Sequence, residues 1–191
     1  MSQPELPPTV SSPNHTGTLQ QAFPLAAIVH SGAEAVDELL ARFALDLRAS
    51  GWQVRGVVQC SCGPDKADIA LVDVDSGQRF ALFQQLGPGS TSCSLDPAGV
   101  TAASVSLRDA FESTTDLAVA NRFGALEASG RGLAAEMLAL MSEGVPLLTV
   151  VNHTYLPQWR SFSGGYGVEL QASRQVLDEW FARIQHGRRG A

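Results

Sequence analysis

The chain has 191 residues, 45% hydrophobic and 17% charged, enough for one well-filled core and too apolar for a disordered polymer. Its net charge is −6, it has a single lysine (Lys66), and its basic residues form no run beyond Arg188-Arg189, which argues against a nucleic-acid surface. No apolar stretch nears the roughly 20 residues needed to cross a bilayer, and residues 1–22 lack a basic, then apolar, leader pattern. A cytoplasmic location without membrane insertion is expected.

Residues 1–22 mix Pro4, Pro7, Pro8 and Pro13 with small polar residues, the composition of a disordered tail. A single domain is expected over 23–186, with a short tail at 187–191. Leu25–Val29 is a continuous apolar run, as in a strand covered on both faces. After His30-Ser31-Gly32, the residues Val36, Leu39, Leu40, Phe43, Ala44 and Leu47 recur at helical spacing and stop at Gly51. Val54–Val58 predicts a second strand. Segments 69–74 and 79–83 flank Asp75-Ser76-Gly77-Gln78 and predict a β-hairpin.

Asp96-Pro97 has the N-cap and N1 order of a helix reaching about Ser113. Segment 116–121 predicts a buried strand that runs into the polar turn Asn121-Arg122-Phe123-Gly124. Gly130 and Gly132 precede a helix with Leu133, Met137, Leu138 and Met141. Pro146–Val151 predicts the last core strand, Tyr155–Phe162 a short helix, and the segment after Ser173 a final amphipathic helix.

Strand and helix alternate at both ends with a hairpin between, which predicts an α/β three-layer sandwich. Its central sheet should be mainly parallel, with the hairpin as an antiparallel extension. Ligands of such sheets sit beyond the carboxyl ends of the parallel strands. Ser31-Gly32, Asn121-Arg122 and Asn152-His153 should therefore meet.

The order of elements, with Asp116–Glu127 at its centre, resembles the small P-loop nucleoside triphosphatases. Their Walker B strand has the form D-L-V-V-I-D-E-I-G-x-x-E; here it reads D-L-A-V-A-N-R-F-G-A-L-E. Asn121 and Arg122 thus stand where that family keeps an acidic pair for magnesium. Residues 30–37 read H-S-G-A-E-A-V-D, with Val36 and Asp37 in the places of the P-loop lysine and hydroxyl residue. The resemblance implies a P-loop-like outline with degenerate Walker motifs.

The chain is also similar to the bacterial domain of unknown function 2478 family, often encoded beside molybdate-transport genes. The pattern N-[KR]-F-G-x-x-E-x-x-G-x-G is met by Asn121, Arg122, Phe123, Gly124, Glu127, Gly130 and Gly132. The pattern L-G-x-G-S-x-x-C-x-L-D is met by Leu86, Gly87, Gly89, Ser90, Cys93, Leu95 and Asp96. The resemblance implies molybdate-transport or molybdenum-enzyme machinery as partners.

A cation cannot hold a metal, but Arg122 can grip an oxyanion through its planar fork, with Asn121 as an amide donor. Glu127 would fix Arg122 or the following turn, or form a purely structural ion pair with Arg122. Gly87, Gly89, Ser90, Thr91, Ser92 and Cys93 form a small-residue segment whose amides could line an anion concavity, or simply a surface connection. Cys60, Cys62 and Cys93 could gather as a thiol cluster, although C-x-C is weaker than paired C-x2-C spacing and buried, inert thiols are the plainer reading. His153 could bind a ligand or carry a proton. The expected function is an accessory protein that binds a small anion or anionic metabolite, molybdate or another oxyanion. The alternatives are a divergent hydrolase or phosphotransferase using Arg122 and His153, and an interaction protein without a ligand.

Overall fold

A computed structural model of the protein describes residues 24–32, 35–61, 68–83 and 96–189. The N-terminal tail expected over 1–22 and the whole segment 87–93 lie outside these residues, as does Cys62.

The described residues form one seven-stranded sheet in the order β4-β3-β2-β5-β6-β1-β7. The strands are β1 (Leu25–His30), β2 (Val54–Ser61), β3 (Ile69–Asp73), β4 (Arg79–Ala81), β5 (Leu117–Phe123), β6 (Leu147–Asn152) and β7 (Val168–Gln171). β2, β5, β6, β1 and β7 are mutually parallel where they pair, while β3 and β4 extend one edge antiparallel. The mainly parallel sheet with a hairpin extension matches the sequence expectation.

Helices α1 (Val36–Ala49) and α6 (Arg174–Arg189) cover one face, burying Leu40, Phe43, Trp180 and Phe181 against Ile28, Val119 and Val150. On the other face lie α2 (Pro97–Glu112), α3 (Ala125–Ala128), α4 (Ala134–Ser142) and α5 (Leu156–Phe162). There Leu107, Met137, Leu140 and Trp159 pack on Val57, Ala118 and Val151. Three layers result, and the apolar runs of β1, β5 and β6 are buried on both faces.

Local chemistry sets the boundaries. Asp96 accepts from the Ala98 N–H at 3.0 Å and caps α2 ahead of Pro97. The hairpin turn is closed by Asp73, whose Oδ1 accepts from the N–H groups of Asp75 and Ser76 at 2.8 and 2.6 Å. The aromatics of α5 pack as core: Phe123 meets Trp159 and Phe162 with ring centroids 5.4 and 5.0 Å apart.

Two features depart from the sequence reading. β7 is an additional parallel edge strand, paired with β1 from Ala26↔Val168 to Val29↔Gln171. The final helix runs past the expected boundary at 186 to Arg189, where Arg188 donates to the Thr115 carbonyl at 3.3 Å. That contact ties the expected tail to the loop ahead of β5.

Candidate functional site

The carboxyl ends of β1, β6 and β5 lie side by side, with His30 in register with Asn152. His30 is buried at 4% exposure, and a Cβ on Gly32 would lie 3.9 Å from the Asn152 amide nitrogen. Ser31 and Gly32 are exposed. His153 is exposed in a 3-10 turn after β6, and its charge helps to hold the Glu169 carboxyl of β7 below its ordinary range, an effect dominated by hydrogen bonding from Arg160.

β5 ends in an irregular step. Ala120 pairs with Thr149 and Phe123 with Val151, so β5 advances by three residues while β6 advances by two. The extra residue makes a β-bulge containing Asn121 and Arg122. Ala120 and Phe123 consequently pack into the same core cluster, although strict alternation would send them to opposite faces. Bulges of this kind re-aim side chains, and here the re-aimed residues are polar.

Arg122 reaches back to the first turn of α1. Its Nε donates to Asp37 Oδ1 at 3.1 Å and its Nη2 to Asp37 Oδ2 at 2.5 Å. This is a two-point fork between a guanidinium and a carboxylate, half-buried on both sides. Gln59 of β2 extends the network: its Nε2 donates to Asp37 Oδ2 at 3.1 Å, and its Oε1 accepts from Asn121 Nδ2 at 3.4 Å. Asp37, Gln59, Asn121 and Arg122 form one chain of polar contacts at the ends of β2 and β5.

The ion pair between Arg122 and Glu127, weighed from the sequence, does not form. Glu127 is 7% exposed, and its Oε2 accepts from the Gly124 N–H at 3.0 Å while Oε1 accepts from the Leu133 N–H at 3.1 Å. Backbone donors already satisfy both oxygens, so Glu127 clamps the turn rather than the guanidinium. Gly132 makes that clamp possible: its φ is +60° and a Cβ there would sit 2.2 Å from Glu127 Oε1.

A cavity of about 350 Å³ opens beside this network. Gln59, Asn121, Arg122 and Glu127 give it a polar side, while Leu71, Leu82, Phe83, Val100, Leu126 and Leu133 give it an apolar one. Such a mixture, with few polar groups on an apolar wall, is the usual composition of a small-molecule site. The sequence singled out Asn121, Arg122 and Glu127 but missed Gln59, which carries no motif, and it read Asp37 only as standing in the place of the P-loop hydroxyl residue.

Among the described residues no group of three or more His, Cys, Asp or Glu side chains is arranged to hold a metal ion. The thiol cluster expected from Cys60 depends on Cys62 and Cys93, which lie outside those residues. No described helix is long and apolar enough to cross a membrane.

Comparison with known proteins places the chain. A family profile described as "Protein of unknown function (DUF2478)" matches residues 25–180. The Molybdenum import ATP-binding protein ModC 2 of Bradyrhizobium diazoefficiens is 36% identical over 165 residues, covering 82% of this chain. The chain spans only 18% of that protein's length. The solution structure of a human cancer-related nucleoside triphosphatase superposes with a TM-score of 0.61 over 87% of this chain and 98% of that one. Their sequence identity is 15%, so this likeness is one of fold, and the fold is that of a P-loop-like nucleoside triphosphatase.

Proposed function

This chain belongs to the family described as Protein of unknown function (DUF2478), and on that premise we propose that it binds a small anionic molecule at the carboxyl ends of β2 and β5. It is an accessory protein built on a nucleoside-triphosphatase-like fold, and Arg122 is the group that meets the anion.

The fork between Arg122 and Asp37 carries this reading. The protein already presents its guanidinium in the geometry that recognises a carboxylate or other planar or tetrahedral oxyanion. Asp37 takes the Nε–Nη2 edge and leaves Nη1 outside the pair. Arg122 retains 39% side-chain exposure, so the outer edge is accessible to a ligand. An incoming anion either shares the guanidinium or displaces Asp37, which makes the aspartate an internal competitor.

The same pair argues against magnesium-dependent hydrolysis. By the motif alignment, Asp37 occupies the place of the P-loop hydroxyl and Arg122 that of a Walker B acid. In a working triphosphatase those two positions meet through magnesium. Here opposite charges meet directly, and a guanidinium at that point repels a divalent cation.

The name of the Bradyrhizobium relative supports molybdate as the first oxyanion to test and a molybdate transport system as the first partner. Calorimetric titration with molybdate, sulfate, ATP and GTP, with and without magnesium, tests the proposal. Binding of an oxyanion without magnesium, lost in Arg122→Gln, is the expected result. Magnesium-dependent turnover of ATP or GTP that disappears in Arg122→Ala would overturn it in favour of a divergent hydrolase.

A further inference from the structure

The amides beside Arg122 restrict what the cavity can hold. The Asp37 carboxylate, ion-paired with Arg122, only accepts hydrogen bonds, so Gln59 must turn its Nε2 toward it. That choice directs Gln59 Oε1 at Asn121, and Asn121 must answer with Nδ2. The orientation of both amides is thus dictated from Asp37 outward. Its last consequence is that Asn121 Oδ1 is left as an acceptor with no donor.

Asn121 is 5% exposed, and a buried acceptor of this kind is costly unless something supplies a proton donor. It lines the cavity of about 350 Å³ together with the aliphatic side chains of Leu71, Val100 and Leu126. The β5 bulge sets Asn121 and Arg122 together at that wall. An unprotonated oxyanion brings acceptors only. It suits Arg122, but it leaves Asn121 Oδ1 unpaired and the aliphatic wall uncovered.

We infer that the cavity takes a flat lactam- or imide-type heterocycle that carries an acidic group. A ring N–H donates to Asn121 Oδ1, the acidic group meets Arg122, and the ring lies against the aliphatic wall. This inference rests on the anion-binding reading above and narrows it to a ligand class.

Four probes separate the two claims. Orotate has ring N–H groups and a carboxylate, uracil has the ring donors without the acid, benzoate has the acid and a ring without donors, and molybdate is the bare oxyanion. Calorimetry on the wild-type protein should find orotate at least about tenfold tighter than benzoate, the worth of one well-made hydrogen bond to a buried acceptor. Asn121→Ala should erase that margin and leave benzoate and molybdate within about twofold of their wild-type affinities. Arg122→Gln should weaken orotate, benzoate and molybdate but not uracil. Equal affinities for orotate and benzoate in the wild type, both still sensitive to Arg122→Gln, would overturn the heterocycle and leave the anion site standing. Insensitivity of all the anionic probes to Arg122→Gln, or no binding by any of the four, would overturn both. The wild-type comparison decides the heterocycle even if Asn121→Ala fails to fold.

Discussion

Asp37, in the first turn of α1, holds two nitrogens of Arg122 at the end of β5, across 85 residues of chain. The pair joins a helix to the strand end it would otherwise only overhang. With side-chain exposures of 39% and 24%, solvent screens it, and its worth to stability is about 1 kcal/mol. Asp37→Asn keeps a hydrogen-bond acceptor and removes the competing charge. We expect urea unfolding to report a loss of about 1 kcal/mol. Molybdate affinity, in contrast, should rise about tenfold as the guanidinium is released. Weaker molybdate binding in Asp37→Asn would refute the role of Asp37 as competitor.

Glu127 and Gly132 form one device, and their variants should not add. Glu127→Ala strands two backbone N–H groups, those of Gly124 and Leu133, at a cost of about 3 kcal/mol. Gly132→Ala forces a methyl to 2.2 Å from the Glu127 carboxylate at a φ of +60°. Either single change damages the turn. Once the carboxylate is gone, however, the main obstacle to the methyl is gone too, leaving a tight 3.0 Å approach to Leu126 Cβ and the strain of the positive φ, about 1 kcal/mol. The double variant should therefore be more stable than the sum of the singles predicts, by at least about 1 kcal/mol in chemical denaturation. Strict additivity would show that the two residues act on separate turns.

The frame of this protein could be read from particular stretches of sequence. Leu25–Val29 and Leu117–Ala120 are uninterrupted apolar runs, segment 146–151 is broken only by Thr149, and all three became strands buried on both faces. β7 escaped because V-E-L-Q buries only Leu170 well and sits on an edge, where one covered side chain leaves almost no pattern. The site was legible residue by residue but not as a network. Nothing local marks the bulge in Leu-Ala-Val-Ala-Asn-Arg-Phe, since one inserted residue changes register without changing composition. Arg122 has two acidic candidates in reach of a guess, Glu127 nearby in sequence and Asp37 far away. Folding chose the distant one because backbone N–H groups engage both oxygens of the nearer. Gln59 carries no signal in sequence at all, because its role is to relay polarity between residues that meet only in three dimensions.

At the hairpin turn, Asp73 should confer a specific acid dependence on stability. Burial acts to raise its pKa, but the Ser106 and Ser76 hydroxyls and the N–H groups of Ser76 and Asp75 together hold it below the ordinary 3.8. A carboxyl depressed in the folded state stabilises that state above its unfolded pKa. The contribution is lost as the pH falls below 3.8 and through the folded value. Asp73→Asn retains an acceptor for the two N–H groups but no charge. It should be less stable than wild type by about 1 kcal/mol at pH 7, and the gap should shrink below pH 4. Urea unfolding at pH 7, 5 and 3 measures it, and a gap that stays constant over this range would contradict the assignment.

Gly99 sets two effects against each other. Replacing a helical glycine by alanine favours the helix by about 1 kcal/mol, so α2 considered alone should gain from Gly99→Ala. The fold imposes the opposite sign. A Cβ at Gly99 would lie 1.8 Å from the Ala81 carbonyl oxygen of β4, which is backbone and cannot rotate aside. Relief requires α2 to lift off the hairpin, uncovering Phe80 and Leu82 in the core beneath it. The steric term wins, and Gly99→Ala should lose at least about 3 kcal/mol, against almost no change for Val105→Ala on the half-exposed face of the same helix. Val100 and Leu82 also line the cavity, so lifting α2 widens the aliphatic wall. Benzoate should therefore bind Gly99→Ala more weakly, whereas molybdate, which needs only the guanidinium, should bind it almost as the wild type does. A variant as stable as the wild type would show that α2 and β4 do not meet at this glycine.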